Sequence, residues 1–230
     1  MAQRITRKQL LKQDDISEAA FDFSVWIEEH WSTVLKWAGG VLLIVLAVVA
    51  GVLLVNSRRV ARETLLADAQ TKFQKALASD FANEGDVSAA LSGFDEVIAK
   101  SGETGTGQVA LYLKAATLGK LGRMEEAIAA AEKVVAQTSG PATLLTSGEL
   151  LLIDLYTKAG RAQEAIARLS ANLESTTPVI PTEQALLEIG RIHQNQGDMA
   201  EARKAWKRLV DEFPGSRAAG EARSFLGPDA

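Results

Sequence analysis

The chain has 230 residues, a net charge of −4, no cysteine and two histidines, His30 and His193. That length accommodates a membrane segment plus one soluble domain of about 170 residues. The charge balance leaves no nucleic-acid footprint, and the lack of cysteine excludes disulfides and thiolate–metal chemistry.

Residues 1–13 carry Arg4, Arg7, Lys8 and Lys12 among few apolar groups, the composition of a flexible basic tail. Over 14–36, Ile16, Ala20, Phe23, Ile27, Trp31 and Val34 recur at steps of three and four, which predicts an amphipathic juxtamembrane helix. This helix lies either on the membrane surface or against a partner helix; acidic residues on its polar face oppose attraction to anionic lipid.

Ala38 to Val55 is a run of eighteen apolar or glycine residues, and no charge occurs between Lys36 and Arg58. At about 1.5 Å per residue it covers about 27 Å, close to the roughly 30 Å of a bilayer core. A transmembrane helix is predicted over 37–57, with membrane lipid as its surroundings and Trp31 and Trp37 at its upstream edge. The Ala47–Gly51 step of small residues is a hint of a homo-oligomer. Arg58, Arg59 and Arg62 follow the run, but long soluble domains cross membranes largely regardless of charge, so orientation stays open. Between Gly51 and Gly85 there is neither Gly nor Pro. The spanning helix is therefore expected to continue, with a bend near Asn56, into the first helix of a domain covering 58–230.

That domain repeats itself. GDVSAA from Gly85, GRMEEA from Gly122, GRAQEA from Gly160 and GDMAEA from Gly197 place an alanine five residues after each glycine, at Ala90, Ala127, Ala165 and Ala202. Glycine suits a tight turn that needs a left-handed backbone, and alanine suits a close helix–helix approach. Asp86 and Asp198 can cap the helices that follow, whereas Arg123 and Arg161 cannot. SGETGTG at 101–107, TSGPA at 138–142, STTPVIPT at 175–182 and FPGS at 213–216 separate units of about 65–101, 107–138, 142–175 and 182–214. The segment 216–227 forms a capping helix. The fold class is all-α.

These units resemble tetratricopeptide (TPR) repeats. Leu186, Ile189, Gly190, Gly197, Ala202, Trp206 and Pro214 fall where that motif wants them, and Phe94 and Ala131 hold the place of Trp206 in earlier units. The resemblance implies a right-handed superhelix of four helical hairpins after the single transmembrane helix. It also implies a concave face lined by the first helix of each hairpin. Carried across, that face holds Lys72, Lys75, Tyr112, Asp154, Thr157, Gln184, Arg191 and Gln194, a lining suited to an extended peptide or a partner helix.

No metal-ligand spacing, nucleophile elbow or phosphate loop occurs. The expectation is a protein that is not an enzyme, with no cofactor, no catalytic or metal-binding residues and no small-molecule substrate. The order of anchor and repeats resembles the bacterial ancillary subunit of the SecYEG translocon. That resemblance implies an inner-membrane protein with a periplasmic repeat domain, binding the SecYEG translocon and periplasmic chaperones. The alternatives are a cytosol-facing anchored adaptor and an accessory subunit of an outer-membrane assembly or cell-division complex.

Overall fold

The computed structural model describes residues 26, 30–137 and 141–227. The tail 1–13, all of 14–36 before Trp31 except Trp26 and His30, and the linker residues 138–140 lie outside the described residues. The described residues contain helices and no strand. In chain order the helices are α1 (Trp31–Ala78), α2 (Glu84–Ser101), α3 (Gly105–Lys120), α4 (Met124–Ala136), α5 (Ala142–Lys158), α6 (Ala162–Glu174), α7 (Thr182–Asn195), α8 (Met199–Glu212) and α9 (Arg217–Leu226). The chain divides into two compact units, Met1–Arg59 and Val60–Ala230.

In the first unit, α1 starts at Trp31, so Trp31–Lys36 belong to the same helix as the apolar run. No large apolar side chain between Val41 and Val55 is less than 48% exposed. Helix α1 is the one helix among the described residues long and apolar enough to cross a membrane. It has no break between Val55 and Leu66.

In the second unit, the last turns of α1 pair with α2 through Ala69, Phe73 and Ala76, which meet Ala90, Phe94 and Val97. Phe73 and Phe94 place their ring centroids 5.9 Å apart. Helices α3 and α4, α5 and α6, and α7 and α8 form the following hairpins. Each hairpin packs on the next through α2 and α3, α4 and α5, and α6 and α7, while α9 closes against α7 and α8. Ala90, Ala127, Ala165 and Ala202 are all fully buried. So are Phe94, Ala131, Leu169 and Trp206, each nine residues beyond the unit's glycine.

Three of the hairpin turns are the same device. Gly122, Gly160 and Gly197 sit at φ of +75°, +76° and +79°. At each, the glycine N–H donates to the carbonyl three residues back, and the next N–H donates to the carbonyl five back: Arg123 to Leu118, Arg161 to Tyr156, Asp198 to His193. This Schellman pattern satisfies carbonyls that the helix end leaves unpaired.

The first hairpin departs from the expectation. Gly85 is not the turn residue; it lies inside the first turn of α2. The left-handed place is taken by Asp80 at φ +48°, with Asp80 N–H donating to Leu77 and Phe81 N–H to Ala76. Nor does Asp86 cap α2: Asn83 Oδ1 accepts from the amides of Gly85 and Asp86 at 3.0 and 3.2 Å. Helix α2 begins one residue before its glycine, whereas α4, α6 and α8 begin two residues after theirs, so α2 carries nearly one extra turn. Asp198 does cap α8, accepting from Glu201 N–H at 3.2 Å.

Two linkers are also more structured than their composition indicates. SGETGTG reduces to residues 102–104, with Thr104 capping α3. A Cβ on Gly107 would stand 2.2 Å from the Gly102 carbonyl oxygen, so the corner closes only because Gly107 lacks one. In 175–182, Ile180 is buried and Asn172 organises the backbone. Its Oδ1 accepts from Val179 and Ile180 N–H at 2.9 and 3.0 Å, and its Nδ2 donates to Ile180 C=O at 2.8 Å.

Candidate functional site

On α7, Gln184, Glu188 and Arg191 fall at steps of four and three and form one stripe. That stripe borders two clefts. The first, of about 370 Å³, lies between α5 and α7; Asp154 and Thr157 face Gln184 and Arg191 across a floor that includes Leu150, Ile153 and Ile192. The second, of about 420 Å³, lies between α7 and α9, where Glu183, Leu187, Arg217 and Glu221 join the stripe.

Arg191 connects the two sides. Its Nη1 donates to Glu188 Oε1 at 2.7 Å, and its Nη2 donates to Glu221 Oε1 on α9. Partial burial works against the charged guanidinium, but the bond it donates to Glu221 and the charges of both carboxylates hold its pKa above the ordinary arginine value. Asp154 is paired with Lys158 at 2.7 Å, and Thr157 Oγ1 donates to the Ile153 carbonyl at 2.8 Å. Both side chains are thus held by their own helix.

Four of the eight residues expected on a concave face, Asp154, Thr157, Gln184 and Arg191, therefore come together. The other four stand elsewhere. Lys72 leans on the α1–α2 seam, its Cδ 3.6 Å from where a Gly93 Cβ would lie, and pairs with Asp68 at 2.6 Å. Lys75 is exposed on α1, and Tyr112 is half-buried against the core of the central hairpins. Gln194 is half-buried on α7 and borders neither cleft. Sequence reasoning missed Glu188 and Glu221. Glu188 was within reach, one turn before Arg191; Glu221 is 30 residues away on another helix, with no local signal.

A hollow of about 490 Å³ between the first two hairpin turns is lined by Phe81, Val87, Leu91 and Leu121. Of the ionic groups at its edge, Asp95 pairs with Lys114 at 2.5 Å and Arg123 with Glu126 at 2.6 Å, while Glu84 has no ion-pair partner among the described residues. At the α7 clefts Glu183 likewise has no cationic partner among the described residues. Among the described residues no group of three metal-ligating side chains occurs.

Residues 109–137, which cover most of α3 and all of α4, match the tetratricopeptide repeat family. So do residues 184–216, which span α7 and α8. No curated protein is significantly similar to the chain in sequence. Among solved structures, a tetratricopeptide repeat protein from Parabacteroides merdae is 16% identical, with 70% of this chain and 59% of that one covered and a TM-score of 0.47. The MamA protein is 17% identical, with 70% and 80% covered and a TM-score of 0.47. The chain thus spans 59% of the length of the Parabacteroides merdae structure. The two family matches mark the α3–α4 and α7–α8 hairpins as tetratricopeptide repeats.

Proposed function

We propose that the chain is a protein-binding scaffold, without catalysis of its own, tethered to a membrane by the apolar part of α1. The observation that carries this reading is the contrast within one chain. Residues 41–55 offer only exposed apolar side chains, whereas the repeat hairpins bury most of theirs and present a polar stripe on α7. An apolar surface of that extent is unfavourable in water and favourable in lipid, where a helix satisfies its own backbone. The repeats form a right-handed superhelix of four hairpins, and its clefts receive a segment of another protein.

The order of anchor and repeats further supports a place in the bacterial inner membrane beside the SecYEG translocon, with the repeats in the periplasm among its chaperones. A second reading puts the repeats in the cytosol, and Arg58, Arg59 and Arg62 directly after the apolar run favour it.

A photo-crosslinking amino acid at Gln184, compared with one at exposed Lys204 on α8, tests the scaffold in living cells. Protein adducts from position 184 and none from 204 are expected; equal yields from both, or none from either, contradict it. Ser175 is exposed, and the chain has no cysteine. Ser175→Cys therefore separates the two orientations: labelling by a membrane-impermeant maleimide in spheroplasts means periplasmic repeats, and labelling only after lysis means cytosolic ones.

A further inference from the structure

The two clefts flanking α7 differ in chemistry, and the difference selects a partner. Toward α5 the floor is apolar, with Leu150, Ile153 and Ile192. Toward α9 the wall is acidic: Glu183, Glu188 and Glu221 stand against Arg191 and Arg217. Arg191 is already shared by Glu188 and Glu221, and neither Glu183 nor Arg217 has an ion-pair partner among the described residues, so three carboxylates stand against two guanidinium groups. Asp154, on the α5 side, is neutralised by Lys158. The negative charge left over therefore lies on the α9 side. The one negative charge in excess disfavours an anionic segment relative to a cationic one, and a cation offers Glu183 the partner it lacks.

The spacing is set by α7 itself. Grooves on either side of one helix are separated by about the width of that helix, about 10 Å with its side chains. An extended polyproline II segment rises about 3.1 Å per residue and returns to the same side every third residue, so positions i and i+3 reach both clefts from one side. We infer that the α7 ridge recognises an extended segment of another protein that carries an apolar residue and, three positions away, a lysine or arginine. The apolar side chain seats over Ile153 and Ile192, and the cation seats against Glu183 and Glu221. This inference rests on the protein-binding reading of the repeats.

The test uses the full chain in nanodiscs of zwitterionic lipid, with empty discs as the blank. Three fluorescent dodecapeptides serve as probes, each with three copies of Leu–Ser–Ser–Lys, Leu–Ser–Ser–Glu or Ser–Ser–Ser–Lys. By anisotropy, the Leu–Lys peptide is expected to bind at least about ten-fold more tightly than either other, and to weaken as salt rises. Glu183→Gln, which removes a charge from a half-buried surface position, should weaken the Leu–Lys peptide about three- to ten-fold and leave the Leu–Glu peptide no weaker than before. Equal or tighter binding of the Leu–Glu peptide, or no effect of Glu183→Gln, overturns the inference. Should none of the three peptides bind while position 184 still crosslinks to a protein in cells, the chemistry assigned to the ridge is wrong and the scaffold stands. Failure of both the peptides and the crosslink removes both.

Discussion

Gly190 of α7 meets the indole of Trp206 of α8 so closely that a Cβ on Gly190 would stand 2.1 Å from Nε1. Trp206 is fully buried and stacks on Phe225 of α9, ring centroids 4.7 Å apart. One bare Cα thus lets a large ring join three helices. Gly190→Ala should destabilise by at least about 1–3 kcal/mol through overpacking, and Trp206→Ala by about 3–5 kcal/mol through the cavity it leaves. Because the two residues touch, Gly190→Ala combined with Trp206→Phe should cost less than the sum of the single changes. Urea unfolding of the parent, Gly190→Ala, Trp206→Phe and their combination measures this, and strict additivity would contradict the contact.

The turns give a prediction with two signs. Asp80 holds at φ +48° a place that glycine fills in the other hairpins. Asp80→Gly should stabilise by about 0.5–1 kcal/mol, since a Cβ is disfavoured in that conformation. Gly197→Ala, at φ +79°, should destabilise by about 1 kcal/mol or more for the same reason. Melting temperatures that move in the same direction for both would contradict the assignment of Asp80 to the glycine place.

Arg123 and Arg161 stand at helix starts where no side-chain cap forms, and each donates a forked pair of bonds to the glutamate three residues on. The distances are 2.7 and 2.6 Å to Glu126, and 2.6 Å twice to Glu164. The arginine bonds hold both carboxyls below the ordinary carboxylate pKa of 4.5. A depressed carboxyl contributes stability that is present above its unfolded pKa and lost as pH falls through its folded one. The double variant Glu126→Gln, Glu164→Gln should therefore lie below the parent in urea midpoint at pH 7, with the gap closing under acid. A gap that persists at pH 2 would mean the pairs act through packing rather than charge.

Tyr156 of α5 donates to Glu132 of α4 at 2.8 Å, and the Arg161 guanidinium lies 4.7 Å over its ring. Burial first, and then the bond to Glu132, push the phenol up from its ordinary pKa. A raised folded pKa contributes stability present below the unfolded value, about 10 for tyrosine, and lost as pH rises through the folded one. Tyr156→Phe should cost about 1 kcal/mol at neutral pH, and should lose less than the parent above pH 10. Parallel pH curves for the two proteins would sink this.

The hairpins were legible because glycine, alanine and the buried position nine residues after the glycine recur in phase, and each recurrence has a local physical cause. Gly85 shows where that reading ends. Asn83 offered a stronger cap three residues ahead of Asp86, and the helix start moved with it, so an in-phase glycine became an ordinary helical residue. Part of the α5–α7 cleft lining was legible. Asp154 and Thr157, or Gln184 and Arg191, share a face by helical spacing alone. Lys72 pairs with Asp68 one turn back, as helical spacing allows, but it also leans on the bare Cα of Gly93 on α2, which periodicity does not register. The Arg191–Glu221 link depends on how α9 folds back on α7, and only the tertiary structure supplies that.

Alkaline carbonate extraction of cell membranes tests the central claim most directly. The full chain should stay in the membrane pellet, and a chain in which Leu43, Ile44, Leu46, Val49 and Leu53 become glutamine should be released to the supernatant with its repeats still folded by circular dichroism. Release of the unaltered chain by carbonate alone would contradict the account.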